Sequence, residues 1–493
     1  MATTTTTEQP APTIARLASN TIVQAVGIPL QSLISLGTYA AITRYLGPSA
    51  FGDYTTANVY LLIPIAFADI GLSAIVVREI SAAPERANTV LRASYSLRLI
   101  ISAVALAATV GTSFLLPFDH KARAAIVIMS LGAFFSLVNL SVLPILQVQL
   151  RMQWAVFANL IGRLVILTGT LVVLALGLGF DGVVWAYVIG LGAILVVDVY
   201  AARSAYSLRP SVDVTYWKRF LKLSLVLGIG LAISQVYFRV DTVLIALLRP
   251  ASEVGLYGAA YKFIELTQGL VYTVFISMFP ALSSFAARRD ARFSSLAQKG
   301  FDVVVAAAVP LTLAMAFAAR PLLDATAGAR YGAAAGALQI LAFYPLLAFA
   351  NGLLWRVLIA THQERILLVV AVSILALNVA LNLVFIPLYG YRAAAVTSIA
   401  SEACSLVAGV VAVRRYVGFL PRLDYLPAVL FAGLVMAGVM LLLPVERLAA
   451  AVIAGIVYVV LLVLVPGTVR MTARELADAL GAVVARRRGS ATA

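Results

Sequence analysis

Phe51-Gly52-Asp53-Tyr54-Thr55-Thr56-Ala57 returns roughly 200 residues later as Val254-Gly255-Leu256-Tyr257-Gly258-Ala259-Ala260, with the shared pattern Gly-x-Tyr-x-x-Ala. Two further pairs keep the same order and a similar offset. Gly27-Ile28-Pro29-Leu30 matches Gly228-Ile229-Gly230-Leu231, and Gly179-Phe180-Asp181-Gly182 resembles Gly390-Tyr391-Arg392-Ala393. Three matches in register indicate a duplicated chain. Each Gly-x-Tyr pattern opens a long apolar run, so the duplicated object is a set of hydrophobic segments.

The rest of the sequence has the same character. Of 493 residues, 62% are hydrophobic and 12% charged, against about half and a quarter in soluble domains. Apolar runs long enough to cross ~30 Å of hydrocarbon number about fourteen. They lie near 18–43, 52–77, 88–116, 122–147, 152–178 and 182–202, then 219–247, 252–280, 297–320, 334–360, 364–389 and 392–415, with a last pair near 424–443 and 448–467. The expected fold is an all-α polytopic membrane protein: two six-helix lobes, 17–203 and 204–416, and an extra transmembrane helix pair, 417–468. Residues 1–16 read as a disordered cytoplasmic tail without the plan of a signal peptide, and 469–493 as a cytoplasmic amphipathic tail. There Thr472-Ala-Arg-Glu475 forms a capping box, and Leu476, Leu480 and Val483 recur at helical spacing before Arg486–Arg488.

Six segments per copy is an even number, so both copies enter the membrane in the same orientation, as in parallel-repeat secondary transporters. Loop charge sets the direction. With the N-terminus inside, the cytoplasmic loops and tail hold Arg78, Arg86, Arg203, Arg209, Lys218, Arg219, Arg288, Arg289, Arg292, Arg414 and Arg415 among others, more than twice the basic residues of the opposite side. Both termini are thus expected in the cytoplasm of a multi-pass protein of the inner membrane. The net charge of +15 follows from this bias and calls for no nucleic acid. Cys404 is the sole cysteine, so no intrachain disulfide forms, and His120 and His362 fall in separate loops, which argues against a metal site. No Gly-x-x-x-x-Gly-Lys-[Ser/Thr] loop is present, so nucleotide hydrolysis by that route is excluded. No cofactor is expected.

Arg44-Tyr45-Leu46-Gly47-Pro48-Ser49-Ala50-Phe51-Gly52-Asp53-Tyr54 resembles the first-loop motif of prokaryotic polysaccharide-biosynthesis flippases. Arg239-Val240-Asp241 followed by Val254-Gly255-Leu256-Tyr257 is similar to the start of that family's second half, and Ile386 to Ala395 with Glu402 downstream to its eleventh-to-twelfth helix junction. The resemblance implies the multidrug/oligosaccharidyl-lipid/polysaccharide exporter superfamily, with a V of two lobes. It also implies movement of a polyprenyl-pyrophosphate-linked oligosaccharide from the inner to the outer leaflet, for surface polysaccharide or glycan assembly. The superfamily's lipid II branch places cavity arginines near its first two helices. Here no charge lies between Arg16 and Arg44, which favours a different glycan precursor.

Charges within the apolar segments are the candidate site residues, because an unpaired charge in the bilayer core costs several kcal/mol. Arg98 and Arg163 each lie about ten residues, roughly 15 Å, from the cytoplasmic face. Asp69 is the acid at similar depth, whereas Asp198 lies closer to the interface, within reach of water. One carboxylate cannot neutralise two guanidiniums, and a guanidinium fork suits phosphate oxygens. Arg98 and Arg163 are therefore candidates for the pyrophosphate. In the second copy Arg239, Asp241, Lys262 and Glu265 share a depth, the last two on one helix face. They form either a self-neutralised network or a site in which Arg239 and Lys262 meet substrate while Asp241 or Glu265, like Asp69, couples to H+ or Na+. Glu402 is mid-segment with no evident partner. Gly27, Pro29, Gly228 and Gly230 are hinge or cavity-lining candidates, or packing residues common in membrane helices. Two other readings stay open beside the flippase. A multidrug exporter of the same superfamily would want acid rather than base in the first lobe. A membrane glycosyltransferase or polymerase would want long extracytoplasmic loops, which this chain lacks; the chain is not expected to be an enzyme.

Overall fold

The computed structural model describes residues 14–69, 71–203 and 210–464, and every regular element among them is helical. The chain divides into two compact units, Met1–Arg239 and Val240–Ala493. The expected tail beyond residue 468, with its capping box, lies outside the described residues, as do residues 1–13 of the N-terminal one.

The first unit opens on α1 (Ile14–Asp69), which takes in the first apolar stretch and most of the second with one departure from helical torsions, at Gly47 (φ 72, ψ 174). Only a residue without Cβ adopts that conformation freely. Pro48, whose missing N–H costs nothing at a first helical position, restarts the helix. Gly71 (φ 70, ψ 11) makes a second break before α2 (Leu72–Ala82). Then follow α3 (Ala87–Ser113), α4 (His120–Val148), α5 (Met152–Leu176) and α6 (Gly179–Ala202). The helix after the 204–209 segment, α7 (Val214–Tyr237), groups with these. Trp217 Nε1 donates to the Ala93 carbonyl at 3.0 Å, and Arg219 reaches Glu79 at 2.8 Å.

The stretch 219–247 is not one helix. It breaks after Tyr237, and α8 (Val240–Leu248) begins the second unit. This unit continues through α9 (Ala251–Ala287), α10 (Arg292–Phe317), the short α11 (Ala319–Thr326) and α12 (Ala335–Leu341), α13 (Tyr344–Ala360), α14 (Glu364–Tyr389) and α15 (Tyr391–Tyr416). A last pair, α16 (Leu426–Leu442) and α17 (Arg447–Leu464), completes it.

Among the described residues nine helical stretches are long and apolar enough to cross a membrane, ten if Ala329–Leu341 and Tyr344–Ala360, bent by 43°, make one span. The number is below the fourteen or so read from the sequence for identifiable reasons. It joins the first two stretches as Gly27–Ala82 and omits the 17-residue α16. Parts of α7 and α9 also fall outside the described side chains. Leu434, Leu442, Val452 and Val196 are largely exposed, as a lipid-facing surface requires. The chain is a multi-pass membrane protein.

Close helix contact in the first unit rests on glycine, as expected where lipid removes the usual hydrophobic drive between helices. Gly162 on α5 and Gly190 on α6 face each other so closely that a Cβ on either would lie 2.9 Å from the other's carbonyl oxygen. Gly162→Leu is expected to force α5 and α6 apart and destabilise the protein by about 1–3 kcal/mol, measurable as a lowered detergent-unfolding midpoint. Along α4 and α6 the contacts rise together, Gly132 against Val188 and Leu191, then Gly192 against Phe135, so these two helices run parallel.

In the second unit α10 carries Pro310. Proline has no N–H, so the carbonyl four residues back, Ala306, loses its helical donor. Tyr458 of α17 donates its hydroxyl to that carbonyl at 2.8 Å. Val429, Ala432 and Met436 of α16 are buried with Tyr458 and Leu462 against the same stretch of α10.

Candidate functional site

The break at residues 238–239 places Asp241 in the first turn of α8, where the helix dipole favours a negative charge. Its side chain is buried, and its partners among the described residues are neutral. Asn382 Nδ2 on α14 donates to Oδ1 at 2.6 Å; Tyr257 on α9 donates its hydroxyl to Oδ2 at 3.2 Å; Ser398 on α15 donates to the same oxygen. A second layer backs these groups. Asn382 Nδ2 also donates to Asn378 Oδ1 at 2.9 Å, Thr397 donates to Asn382 Oδ1 at 2.5 Å, and Asn378 donates to Ser401 at 3.3 Å.

Four helices thus bring one carboxylate, two amides and several hydroxyls together with no cation among the described residues to balance the charge. Carboxylate, amide carbonyl and hydroxyl oxygens are the ligands of hard cations. No group of three or more His, Cys, Asp or Glu occurs among the described residues, so the site offers a single formal charge. That is the complement of one monovalent cation or one proton.

The four-residue network considered for the second copy does not form around Asp241. Lys262 Nζ instead pairs with Glu265 at 2.9 Å within α9, both about a quarter exposed. Arg239 lies at the break before α8 and does not contact the Asp241 carboxylate, whose bonds all come from neutral groups. Sequence reading passed over Asn378, Asn382, Thr397 and Ser398. The available signal was two asparagines one helical turn apart in an otherwise apolar segment, each costly to bury unless bonded.

In the first unit Arg98 is 2% exposed and bridges to Asp69 Oδ1 at 2.7 Å, with Asp69 27% exposed. Arg98 also donates to Ser73 at 3.0 Å, and Ser73 to Asp69 at 2.8 Å. The Nε and Nη1 of Arg98 are buried without acceptors. The pair sits beside the α1–α2 break. Arg163 on α5 is half-buried and donates to Ser35 of α1; its Nε is buried without an acceptor, and no carboxylate among the described residues pairs with it. Asp198 does not reach water. It is fully buried, bonded by Asn139 Nδ2 at 3.0 Å. Glu402 does have a partner, Asn351 Nδ2 at 2.7 Å.

The glycine and proline candidates stand inside continuous helix. α1 passes Gly27 and Pro29 with helical torsions, and α7 likewise runs through Gly228 and Gly230. Gly27 serves packing here: a Cβ would run into Val156 of α5. Breaks in the helices leading each unit fall instead at Gly47, Gly71 and residues 238–239.

Comparison with known proteins agrees with this architecture. The family model described as polysaccharide biosynthesis protein matches residues 17–286, just over half of the chain. No curated protein matches the sequence. Among solved structures, lipid II flippase MurJ in an inward closed conformation aligns with a TM-score of 0.77 at 16% identity, over 92% of this chain and 99% of that one. A multidrug resistance MATE family transporter in an inward-facing conformation aligns at 0.62 and 15%, over 79% and 96%. A transporter from Pyrococcus furiosus, described as having a binding pocket of reversed polarity, aligns at 0.59 and 17%, over 81% and 93%. At these identities the likeness is one of fold. The family match, over more than half of the chain and including the Arg44–Tyr54 motif, establishes that this chain belongs to the polysaccharide biosynthesis protein family.

Proposed function

We propose that this protein is a flippase that carries a polyprenyl-pyrophosphate-linked oligosaccharide from the inner to the outer leaflet of the cytoplasmic membrane by alternating access. Membership of the family supports the class of cargo. The observation that carries the pyrophosphate is Arg163. It is the membrane-embedded guanidinium of the first unit whose charge no carboxylate among the described residues takes up, and it retains an unused buried N–H. Guanidinium and phosphate oxygens are matched in geometry and charge. Arg98 is committed to Asp69, and Lys262 to Glu265, so they serve the substrate less directly. A cationic drug would meet the same uncompensated Arg163, which disfavours the multidrug reading.

Coupling, in this reading, resides at Asp241, where loading by Na+ or H+ would neutralise a buried carboxylate that only neutral groups hold. The test is reconstitution in liposomes with a fluorescent polyprenyl-pyrophosphate oligosaccharide, scoring leaflet access with and without ion gradients. Arg163→Ala is expected to fold normally and slow translocation at least tenfold. Normal translocation by this variant would remove the pyrophosphate assignment, and normal export of cationic dyes instead of the lipid would replace the proposal with a drug exporter.

A further inference from the structure

Two buried side-chain pairs take no part in the site above, and they share one peculiarity. In the first unit Asn139 of α4 donates Nδ2–H to Asp198 Oδ2 of α6 at 3.0 Å, while Asn139 Oδ1 and Asp198 Oδ1 are both buried with no hydrogen-bond partner. In the second unit Asn351 of α13 donates to Glu402 Oε1 of α15 at 2.7 Å, and Asn351 Oδ1 is again buried and unbonded. Counted along the duplication, these are the same helices: an asparagine on the fourth segment of each repeat and an acid on the sixth. Asp198, Asn351 and Glu402 are buried, Asp198 completely, and Asn139 is half-buried with its Oδ1 out of reach of solvent.

An amide and an ionised carboxylate side by side satisfy only one leg of a two-legged arrangement. The amide has a donor and an acceptor on one carbon; the carboxylate has two acceptors on one carbon. The N–H···O leg forms, and the remaining two oxygens both accept. Burying two unbonded oxygens and a full negative charge in an apolar layer is costly on each count. Placing one proton on Asp198 Oδ1 removes all three penalties. The carboxyl becomes neutral, its O–H donates to Asn139 Oδ1, and the N–H···O leg stays as it is. The geometry points to Asp198–Asn139 as a proton-binding site in which a neutral carboxylic acid is held by a cyclic acid–amide pair.

No charged group among the described residues is bonded to the ionised form instead. Among the described residues Asn139 is the one side chain bonded to Asp198. On the helices packed around α6, Arg163 of α5 is held at Ser35, and Arg151, at the start of α5, donates to the Ala201 carbonyl. Asp69, at the end of α1, pairs with Arg98. Arg123 lies at the far end of α4, against Ser113, and Asp181 in the first turn of α6, at its far end. Arg203 covers the Tyr200 ring. The pair also sits where it can report on helix contact. It continues the α4–α6 seam that runs through Gly132 and Gly192, so parting those helices would expose the acid and release its proton.

This inference stands apart from the transport proposal and is tested without a transport assay. Infrared difference spectra of the full-length protein in lipid, at neutral pH and without added sodium, are compared for the protein and its variants. The protein is expected to show the C=O band of protonated carboxyl groups. Asp198→Asn, which can keep a two-legged amide–amide pair, should retain the thermal unfolding temperature and lose the intensity of one such group. Asn139→Leu should retain the band and move it to higher frequency, since the acid loses its partner. If the spectrum of Asp198→Asn equals that of the unaltered protein, Asp198 is ionised and the inference fails. It fails equally if the band exists but is abolished by sodium, which would make the pair a metal cation site.

Discussion

Asp241→Asn is expected to abolish the ion dependence of transport and the stabilisation of the protein by that ion. In the unaltered protein, a monovalent cation at about 100 times its Kd should stabilise the folded state by roughly 2.7 kcal/mol, read as a rise in unfolding temperature in NaCl against choline chloride. The variant keeps the shape of the side chain but has one acceptor oxygen in place of two, and no charge. Tyr257, Asn382 and Ser398 all donate toward this position, so the amide leaves donors in competition. A loss of about 1–3 kcal/mol for each donor left unbonded follows. Asp241→Ala, with no acceptor at all, should be worse. Retention of salt-dependent stabilisation by Asp241→Asn would dissociate Asp241 from ion binding. Equal stability of the unaltered protein in NaCl and choline, with transport following a pH gradient, would make the ion a proton.

A second large effect is expected at the Asp69–Arg98 pair, and it is asymmetric. Arg98 is the deeply buried member, at 2% exposure, while Asp69 is 27% exposed. Removing the acid strands a guanidinium that already has two unbonded nitrogens. Asp69→Ala should therefore destabilise by about 3–5 kcal/mol, the range for breaking a buried pair. Arg98→Met removes the buried charge itself and leaves an acid that can turn to water and Ser73, so its cost should be smaller. The double variant Asp69→Asn, Arg98→Met should recover most of the loss, because replacing both members of a buried ion pair is often neutral. Unfolding midpoints of the three variants decide the order; equal costs for the two single variants would show that the pair is not controlled by Arg98 burial. Structural loss on this scale also means that reduced transport by an Arg98 variant does not by itself assign Arg98 to the substrate, whereas Arg163, half-buried and salt-bridged to nothing among the described residues, gives the cleaner readout.

The helical, duplicated membrane architecture was legible because its signals are dense. Apolar runs and loop charges recur along the whole chain, and the Gly-x-Tyr-x-x-Ala pattern stands once in each half. Pairings within a helix were legible for a similar reason: Lys262 and Glu265 are three apart, and spacing alone puts them on one face. Depth counting also brought Arg98 and Asp69 to the same level. What depth cannot supply is rotation. Asp241 lies at the depth of Arg239 and Lys262 yet turns toward α14 and α15, and Asp198, counted as near the interface, turns inward to Asn139.

The groups that build the Asp241 cluster are neutral amides and hydroxyls, and their meaning appears only when four helices converge. The repeat sharpens the point. Counted from Gly179 against Gly390, the positions matching Asn378, Asn382, Thr397 and Ser398 are Leu167, Leu171, Ala186 and Tyr187. Duplication preserved the scaffold and not the polar cluster, so symmetry predicts the fold far better than the site.

The hydroxyl that Tyr458 lends to the Ala306 carbonyl ties the history of two distant codons. Proline at 310 creates an acceptor that hydrocarbon cannot solvate, and only a helix arriving 150 residues later supplies the donor. Neither residue is tolerable without regard to the other. In descent the two should change together: lineages that keep proline at 310 should keep a hydroxyl or amide donor at 458, and lineages that end after α15 should have regained an N–H at 310. The last helix pair then counts as a component that a mutation in α10 has made obligatory, and removing it genetically should be lethal to folding unless Pro310 reverts as well.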